Sequence, residues 1–349
     1  MIRSWHHDGT TFSPVDYAGM DTIPDHGWVW IDVVSTEFAV VSAVGSELGF
    51  DPLSIEDVVT DMLPKVDTFD DYRYLVGHSL RFVAERIGTV EFDMFIGSAF
   101  LVTFRPEAIY GFDRVQEQIE AGHASALGSP AALAAHILEM DSRRFPALMD
   151  ALDERIEELE ERAMAADNAV IGAAQALRRD VIVLRRVFGP QRDVLQRLSW
   201  DEELSGVERR AFADVYDHHF RFVESLESAR ALIGSIQETH RGAIAARTNE
   251  VMKVLTVFSA VILPLTLIAG VWGMNVRLPL EDDPAAFGWI VGGMALLAIG
   301  LWSYFAWRGF VGRIRLDRLP KAVGLTIAHL AGPIIPGGDR RRNNDQVRP

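Results

Sequence analysis

The chain of 349 residues contains no cysteine. That absence excludes a disulfide framework and thiolate metal sites, and it predicts a chain whose bulk lies in a reducing compartment. The first residues, Met1-Ile2-Arg3-Ser4-Trp5-His6-His7-Asp8, lack the charged start and apolar run of a secretory signal, so the N-terminal part is expected to stay in the cytosol. A basic surplus is missing too. The formal net charge is −15; residues 308–349 hold nine Lys or Arg against three Asp or Glu, and 251–307 come to −1, which leaves −20 on residues 1–250. A body of that charge excludes nucleic acid as a partner and favours cations. Neither a P-loop, a GxSxG, an HExxH nor a Cys-based site occurs, so the chain is read as no enzyme.

Charge of either sign is absent from residues 254–272, 19 in all, and from 285–307, 23 in all. Each run is long enough to cross a hydrocarbon core of about 30 Å at about 1.5 Å per residue. Trp272 ends the first, Phe287 and Trp289 stand at the start of the second, and Trp302, Tyr304 and Trp307 near its end, as interfacial belts require. Arg308, Arg313, Arg315, Arg318 and Lys321 follow the second span, whereas the connecting loop has only Arg277 against three acids. The positive-inside rule then places both termini in the cytoplasm, in a multi-pass protein of the inner, cytoplasmic membrane.

The pattern predicts six segments: a mixed α/β domain over 1–140, a helical region and stalk over 141–250, a first transmembrane helix over 251–273, an external loop over 274–284, a second transmembrane helix over 285–307 and a basic tail over 308–349. Strand-like runs at 28–34, 72–82, 90–96 and 99–104 are rich in β-branched and aromatic residues. Residues 52–62 read as a short helix, and Ser129-Pro130 opens another with Ser as N-cap and Pro at N1. An amphipathic helix at 145–164 precedes a second through 178–198, in which Gly189-Pro190 predicts a break or kink. The acid run of the first of these helices, from Asp153 to Glu161, suits a solvated face and, as a second reading, cation collection. From 207 to 248 there is no proline, and the pattern runs on into the first span as one helix of over sixty residues, roughly 90 Å long.

Three- and four-residue steps along that helix pick out Glu238, Gly242, Ala245, Asn249, Met252, Leu255 or Thr256, Ser259, Leu263 and Thr266, ending near Gly273-Met274-Asn275. Hydroxyls and amides in a membrane helix either face protein interior or a water path, or bond back to their own helix carbonyls; both readings stand. One hairpin encloses no lumen, so conduction requires several copies around an axis.

Thr248 to Thr256 (TNEVMKVLT), Pro264-Leu265-Thr266, Ile268-Ala269-Gly270 and Trp272-Gly273-Met274-Asn275 resemble the CorA family of magnesium channels, the two-transmembrane GxN family. Pro52-Leu53, Ile55-Glu56-Asp57, Pro64-Lys65-Val66 and Asp214-Val215-Tyr216-Asp217-His218 resemble family patterns in matching order. The resemblance covers roughly residues 28–315 and implies an α+β cytosolic domain (an α/β sandwich), a stalk helix and a two-helix transmembrane hairpin, assembled as a homopentameric funnel in the bilayer. It implies a selectivity filter at Gly273, Met274 and Asn275, and a pore lined by Asn249, Met252, Leu255, Ser259, Leu263 and Thr266. Leu263 stands where Met is usual, and Trp272 where Tyr is usual. The cargo implied is Mg2+, with Co2+ or Ni2+ beside it. Mg2+ dehydrates reluctantly, and a ring of carbonyl and amide oxygens can hold it with its water on. Regulatory Mg2+ is implied between neighbouring copies at Glu56, Asp57 and Asp214, with Glu238 a further metal candidate; without the resemblance, Glu56 and Asp57 read as a solvated helix face.

Two other readings compete. Zinc transport by a related branch, driven by protons, would use His218, His219 and His240 as ligands, although such histidines more often pack or face solvent. A membrane-anchored receptor or enzyme would use the hairpin only as an anchor, and then has no reason to keep Asn249, Ser259, Thr266 and Asn275 in register. In the tail, residues 320–335 suit either an interfacial segment or a disordered basic end.

Overall fold

The computed structural model describes residues 1–83, 86–123, 127–274 and 285–310. The chain divides into two compact units, Met1–Ala245 and Ala246–Pro349.

The first unit is built on a seven-stranded sheet. Its strands are β1 (Ile2–His7), β2 (Phe12–Val15), β3 (Trp28–Val34), β4 (Lys65–Thr68), β5 (Tyr72–Val83), β6 (Arg86–Gly97) and β7 (Phe100–Arg105), in the order β2-β1-β3-β7-β6-β5-β4. Only β3 and β7 pair in parallel; every other pair is antiparallel. Alternation along the strands feeds two cores, since successive side chains leave a strand on opposite faces. Trp28 and Trp30 of β3, with Phe92, Met94 and Leu101, pack on one face against α3 (Tyr110–Glu120) and α4 (Pro130–Ser142). Val29, Ile31 and Val33, with Phe95, Val102 and Phe104, pack on the other against α1 (Phe38–Glu47) and α2 (Pro52–Asp57). The result is the expected α/β sandwich. The four expected strands are β3, β5, β6 and β7. The helix expected at 52–62 is shorter, closing after Asp57, and Ser129 caps α4 by accepting from the Ala132 N–H at 3.2 Å.

Three long helices follow: α5 (Phe145–Met164), α6 (Val170–Trp200) and α7 (Gly206–Trp272). Of the break or kink expected at Gly189-Pro190, the break does not occur: α6 runs through Pro190. Proline costs a helix interior about 3 kcal/mol. Phe188, Gln191, Val194 and Leu195 are buried on both sides of it, and burying even two such side chains outweighs that cost. Along α7 the residues Phe212, Val215, His219, Phe222, Leu226, Ala229, Ile233, Ile236 and His240 are all buried, at alternating steps of three and four. That is the spacing of helices packed knobs into holes. Leu148, Leu152, Ile156 and Leu159 of α5 supply the matching stripe.

In the second unit α7 continues to Trp272 and α8 (Ala286–Trp307) follows. Both helices are long and apolar enough to cross a membrane.

Candidate ion pathway

Within the apolar part of α7, cover is confined to one stripe. Val257 is buried, and Ala260, Val261, Pro264, Leu265, Ile268 and Trp272 are half-buried. Asn249, Met252, Leu255, Ser259, Leu263 and Thr266 are all exposed. At about 100° per residue the second set lies roughly opposite the first. Asn249, Ser259 and Thr266 therefore sit, with Met252, Leu255 and Leu263, on the face that the described residues leave uncovered. Thr256 donates to the Met252 carbonyl at 2.7 Å, and Thr266 to that of Ile262 at 2.9 Å. Each hydroxyl proton is thus used inside the helix, while the oxygen keeps acceptor capacity toward the exposed side.

At the far end of α7 the Gly273 N–H donates to Ala269 O at 2.9 Å, and the Met274 N–H to Val271 O at 3.3 Å, tightening the last turn. A Cβ on Gly273 would come within 3.2 Å of the Ala269 carbonyl, which makes glycine the residue that fits there without displacement. Gly273 and Met274 are exposed beyond the helix end. A helix C-terminus presents unpaired carbonyls and about half a negative charge, a setting that favours cations. Asn275, most of the loop 274–284 and the tail from 311 on lie outside the described residues.

The carboxylates of the first unit are arranged differently from one another. Asp57, at the end of α2, is half-buried and bonded by the Lys65 ammonium at 2.7 Å, which also holds Asp67 at 2.6 Å. Glu56, Asp214 and Glu238 are exposed. Among the described residues, no three His, Asp or Glu side chains gather to hold a metal ion. The histidines divide as well. His219 is buried: Nδ1 lies 3.0 Å from the Val215 carbonyl, and Nε2 lies 3.0 Å from Gln191 Nε2, so both nitrogens are taken. Burial pushes its pKa down to about 4, so the ring is neutral at pH 7. His218 is exposed on the neighbouring turn position, and His240 is buried with Nε2 unpartnered.

Sequence reasoning missed the groups that fix this arrangement. Gln191 accepts from the His78 backbone N–H at 2.7 Å and donates to its carbonyl at 3.1 Å, which ties β5 to α6 beside His219. Lys65 stood in a quoted motif, but nothing in its spacing pointed to Asp57.

The family described as CorA-like Mg2+ transporter protein matches residues 25–308. The Bacillus subtilis protein YfjQ is 32% identical over 292 residues, 82% of this chain and 91% of its own length. The cobalt/magnesium transport protein CorA of Thermotoga maritima is 27% identical over 79% of this chain and 81% of its own. The zinc transport protein ZntB of Photorhabdus laumondii is 24% identical over 62% of this chain and 66% of its own. In fold, the complete structure of the CorA magnesium transporter from Methanocaldococcus jannaschii superposes with a TM-score of 0.74 at 20% identity, over 89% of this chain and 99% of that one. A mixed sandwich, a long continuous helix, two apolar C-terminal helices and a family match over most of the chain lead to one conclusion: the chain belongs to the CorA-like Mg2+ transporter family and is a membrane-bound divalent-cation transporter of that family.

Proposed function

We propose that the chain is one protomer of a homopentameric channel in the inner, cytoplasmic membrane, which admits Mg2+, and Co2+ or Ni2+ beside it, down the membrane potential. The observation that carries this reading is the exposed stripe on α7, free of charge and bearing hydroxyls, which lies opposite the covered face and ends at Gly273 and Met274. A helix with such a face has no use for it in lipid. Copies around an axis turn the stripes toward a shared water path, and Met252, Leu255 and Leu263 then make an apolar constriction that closes by dewetting. Gly273, Met274 and Asn275 form the outer filter, where neutral oxygens hold the hydrated ion without stripping its water. Both termini are cytoplasmic, and residues 1–140, 141–250, 251–273, 274–284, 285–307 and 308–349 serve as sensor domain, stalk, pore helix, filter loop, outer helix and tail.

Cytosolic Mg2+ closes the channel by bridging Asp57, with Glu56 nearby, to Asp214 of the next copy; Glu238 is a further candidate lower on the stalk. Such a site needs two copies. Lys65 already neutralises Asp57, so the incoming ion displaces or shares that ammonium.

No Asp, Glu, His or Arg lies within either span, so there is no relay for coupled protons. A divalent ion crossing about 100 mV gains roughly 4.6 kcal/mol, enough for more than thousandfold accumulation. Zinc draws support from the ZntB likeness, but His219 is neutral and fully engaged rather than free to bind a metal.

The test is flux into proteoliposomes. Collapsing the potential with a potassium ionophore should stop Mg2+ uptake, and removing a proton gradient at constant potential should not; uptake that tracks the proton gradient overturns the channel in favour of zinc. In the same assay Asn275→Ala should abolish uptake in an assembled pentamer, and paired Asp57→Asn and Asp214→Asn should weaken inhibition by internal Mg2+ while permeation persists.

A further inference from the structure

Glu91 lies on β6 directly opposite His78 on β5. Its side chain is only 14% exposed and that of His78 9%, so the pair sits inside the sandwich, on the face covered by α2 and the residues after it. Neither nitrogen of His78 makes a hydrogen bond: Nδ1 is buried without a partner, and Nε2 stands 3.6 Å from Glu91 Oε2. In front of the pair, the same Glu91 oxygen accepts from the Met62 backbone N–H at 2.7 Å. That bond ties the segment after α2 onto the sheet. Between them lies a cavity of about 210 Å3, lined by Asp61, Arg81, Glu91 and Asp93 among others.

We infer that Glu91 is a proton-operated latch: ionised, it grips the Met62 N–H and clamps residues 58–62 to β6; protonated, it donates to His78 Nε2 and releases them. One proton moves, from solvent to a Glu91 oxygen; the neutral His78 ring then carries its own proton on Nδ1, which leaves the Nε2 lone pair to receive the hydrogen bond.

The charged surroundings fit a group that titrates near neutrality. Burial raises the Glu91 pKa, the Met62 N–H lowers it, and Asp61 and Asp57 raise it further, to about 7. His78 offers no compensating charge, since burial pushes its pKa down to about 4. The cations nearby are engaged elsewhere: Arg81 with Glu107 at 2.9 Å, and Lys65 with Asp57 and Asp67. From the same strand Asp93 faces the cavity, its carboxyl raised by burial and bonded by the Tyr74 hydroxyl at 2.7 Å. Ionising Glu91 therefore sets it against acids alone, and only the Met62 N–H favours it.

The latch stands whatever ion the channel carries. Its link to gating does rest on the proposed function, because residues 58–62 continue directly from the helix that bears Asp57.

The test is segment-resolved hydrogen exchange on the full-length protein in nanodiscs, with each rate divided by the intrinsic rate at that pH. Protection of the Met62 amide, the N–H of this segment that Glu91 accepts, should fall about fivefold as pH drops through about 7, the difference between a charged and a neutral acceptor. Glu91→Gln should exchange at the low-pH level at every pH. Asp61→Asn keeps the latch but removes a charge that raises its midpoint, so the transition should persist at lower pH. A flat wild-type profile between about pH 6 and 8, a pH step retained in Glu91→Gln, or an unmoved midpoint in Asp61→Asn would each overturn the proposal.

Discussion

The two ends of α7 obey opposite rules within one continuous helix. Between Phe212 and His240 every third or fourth residue is buried; of the two histidines on that stripe His219 has both nitrogens bonded, while His240 at its end keeps Nε2 unpartnered. Between Asn249 and Met274 the same periodicity survives, but only Val257 is buried, and the hydroxyls of Thr256 and Thr266 bond back to their own helix. The first end completes its packing inside its own chain. Among the described residues, the second leaves its most regular face open to lipid, water or other copies. A mutation at one end should therefore be felt as lost stability, and at the other as altered transport.

The hardest blow to the first unit should fall on its buried ion pair. Arg105 is 2% exposed and grips Asp32, itself fully buried, with Nε at 3.2 Å from both carboxylate oxygens and Nη2 at 2.9 Å; Nη1 reaches Asp113 at 2.9 Å. Gln116 and Thr103 also donate to Asp32. Arg105→Ala strands the Asp32 charge and should cost about 3–5 kcal/mol in denaturant unfolding. Leu296→Ala on α8, at a position 76% exposed, should cost under about 0.5 kcal/mol in the same measurement. Equal losses would erase the distinction between the two units.

Much of this distinction could be read in advance, and the reasons are physical. Charge-free runs of 19 and 23 residues admit few environments, so the spans were legible. The spacing of Leu148, Leu152, Ile156 and Leu159 gave α5 its buried face. What escaped was whatever depends on a neighbour distant in sequence. β4 reads Lys-Val-Asp-Thr and becomes a strand only because β5 pairs with it. β1 carries Arg3, Ser4, His6 and His7, a polar run held between β2 and β3. Pro190 predicted a break or kink, and the burial that keeps α6 unbroken comes from elements distant in sequence. Of the proposed site, the stripe on α7 was legible as a period, whereas the Lys65 clasp on Asp57 was not.

A smaller and pH-limited effect sharpens the picture of the packed end. His219 has an ordinary value of 6.5 and is pushed down to about 4 by burial, against the opposing pull of the Val215 carbonyl. Because the folded state disfavours the charged ring, the unfolded chain takes up the extra proton first. Stability is therefore lost as pH falls from about 6.5 to about 4, by up to about 3 kcal/mol. His219→Gln keeps a polar group near Gln191 and cannot titrate. The stability gap between wild type and variant should move by that amount across the window, while other groups such as Glu91 and His78 titrate in both and cancel. A gap independent of pH would mean that His219 is solvated and that the stripe is looser than its burial indicates.

The smallest effect is expected where the open end is most ambiguous. Thr266 lies on the exposed stripe, yet its hydroxyl proton is spent on the Ile262 carbonyl at 2.9 Å. Thr266→Val keeps the shape and removes the oxygen. An exposed side chain bonded only to its own helix contributes little, so thermal stability should shift by less than about 0.5 kcal/mol. Flux is a different matter, because the remaining lone pairs of that oxygen are what a hydrated ion would meet. If the stripe borders the water path, Mg2+ flux in Thr266→Val falls several-fold, while Ser303→Ala on α8, also an exposed hydroxyl, leaves flux unchanged. If both variants conduct like wild type, the Thr266 hydroxyl belongs to the helix alone. The proposed function of the open end of α7 then rests on the proposed filter at Gly273, Met274 and Asn275 and on the apolar girth of Met252, Leu255 and Leu263.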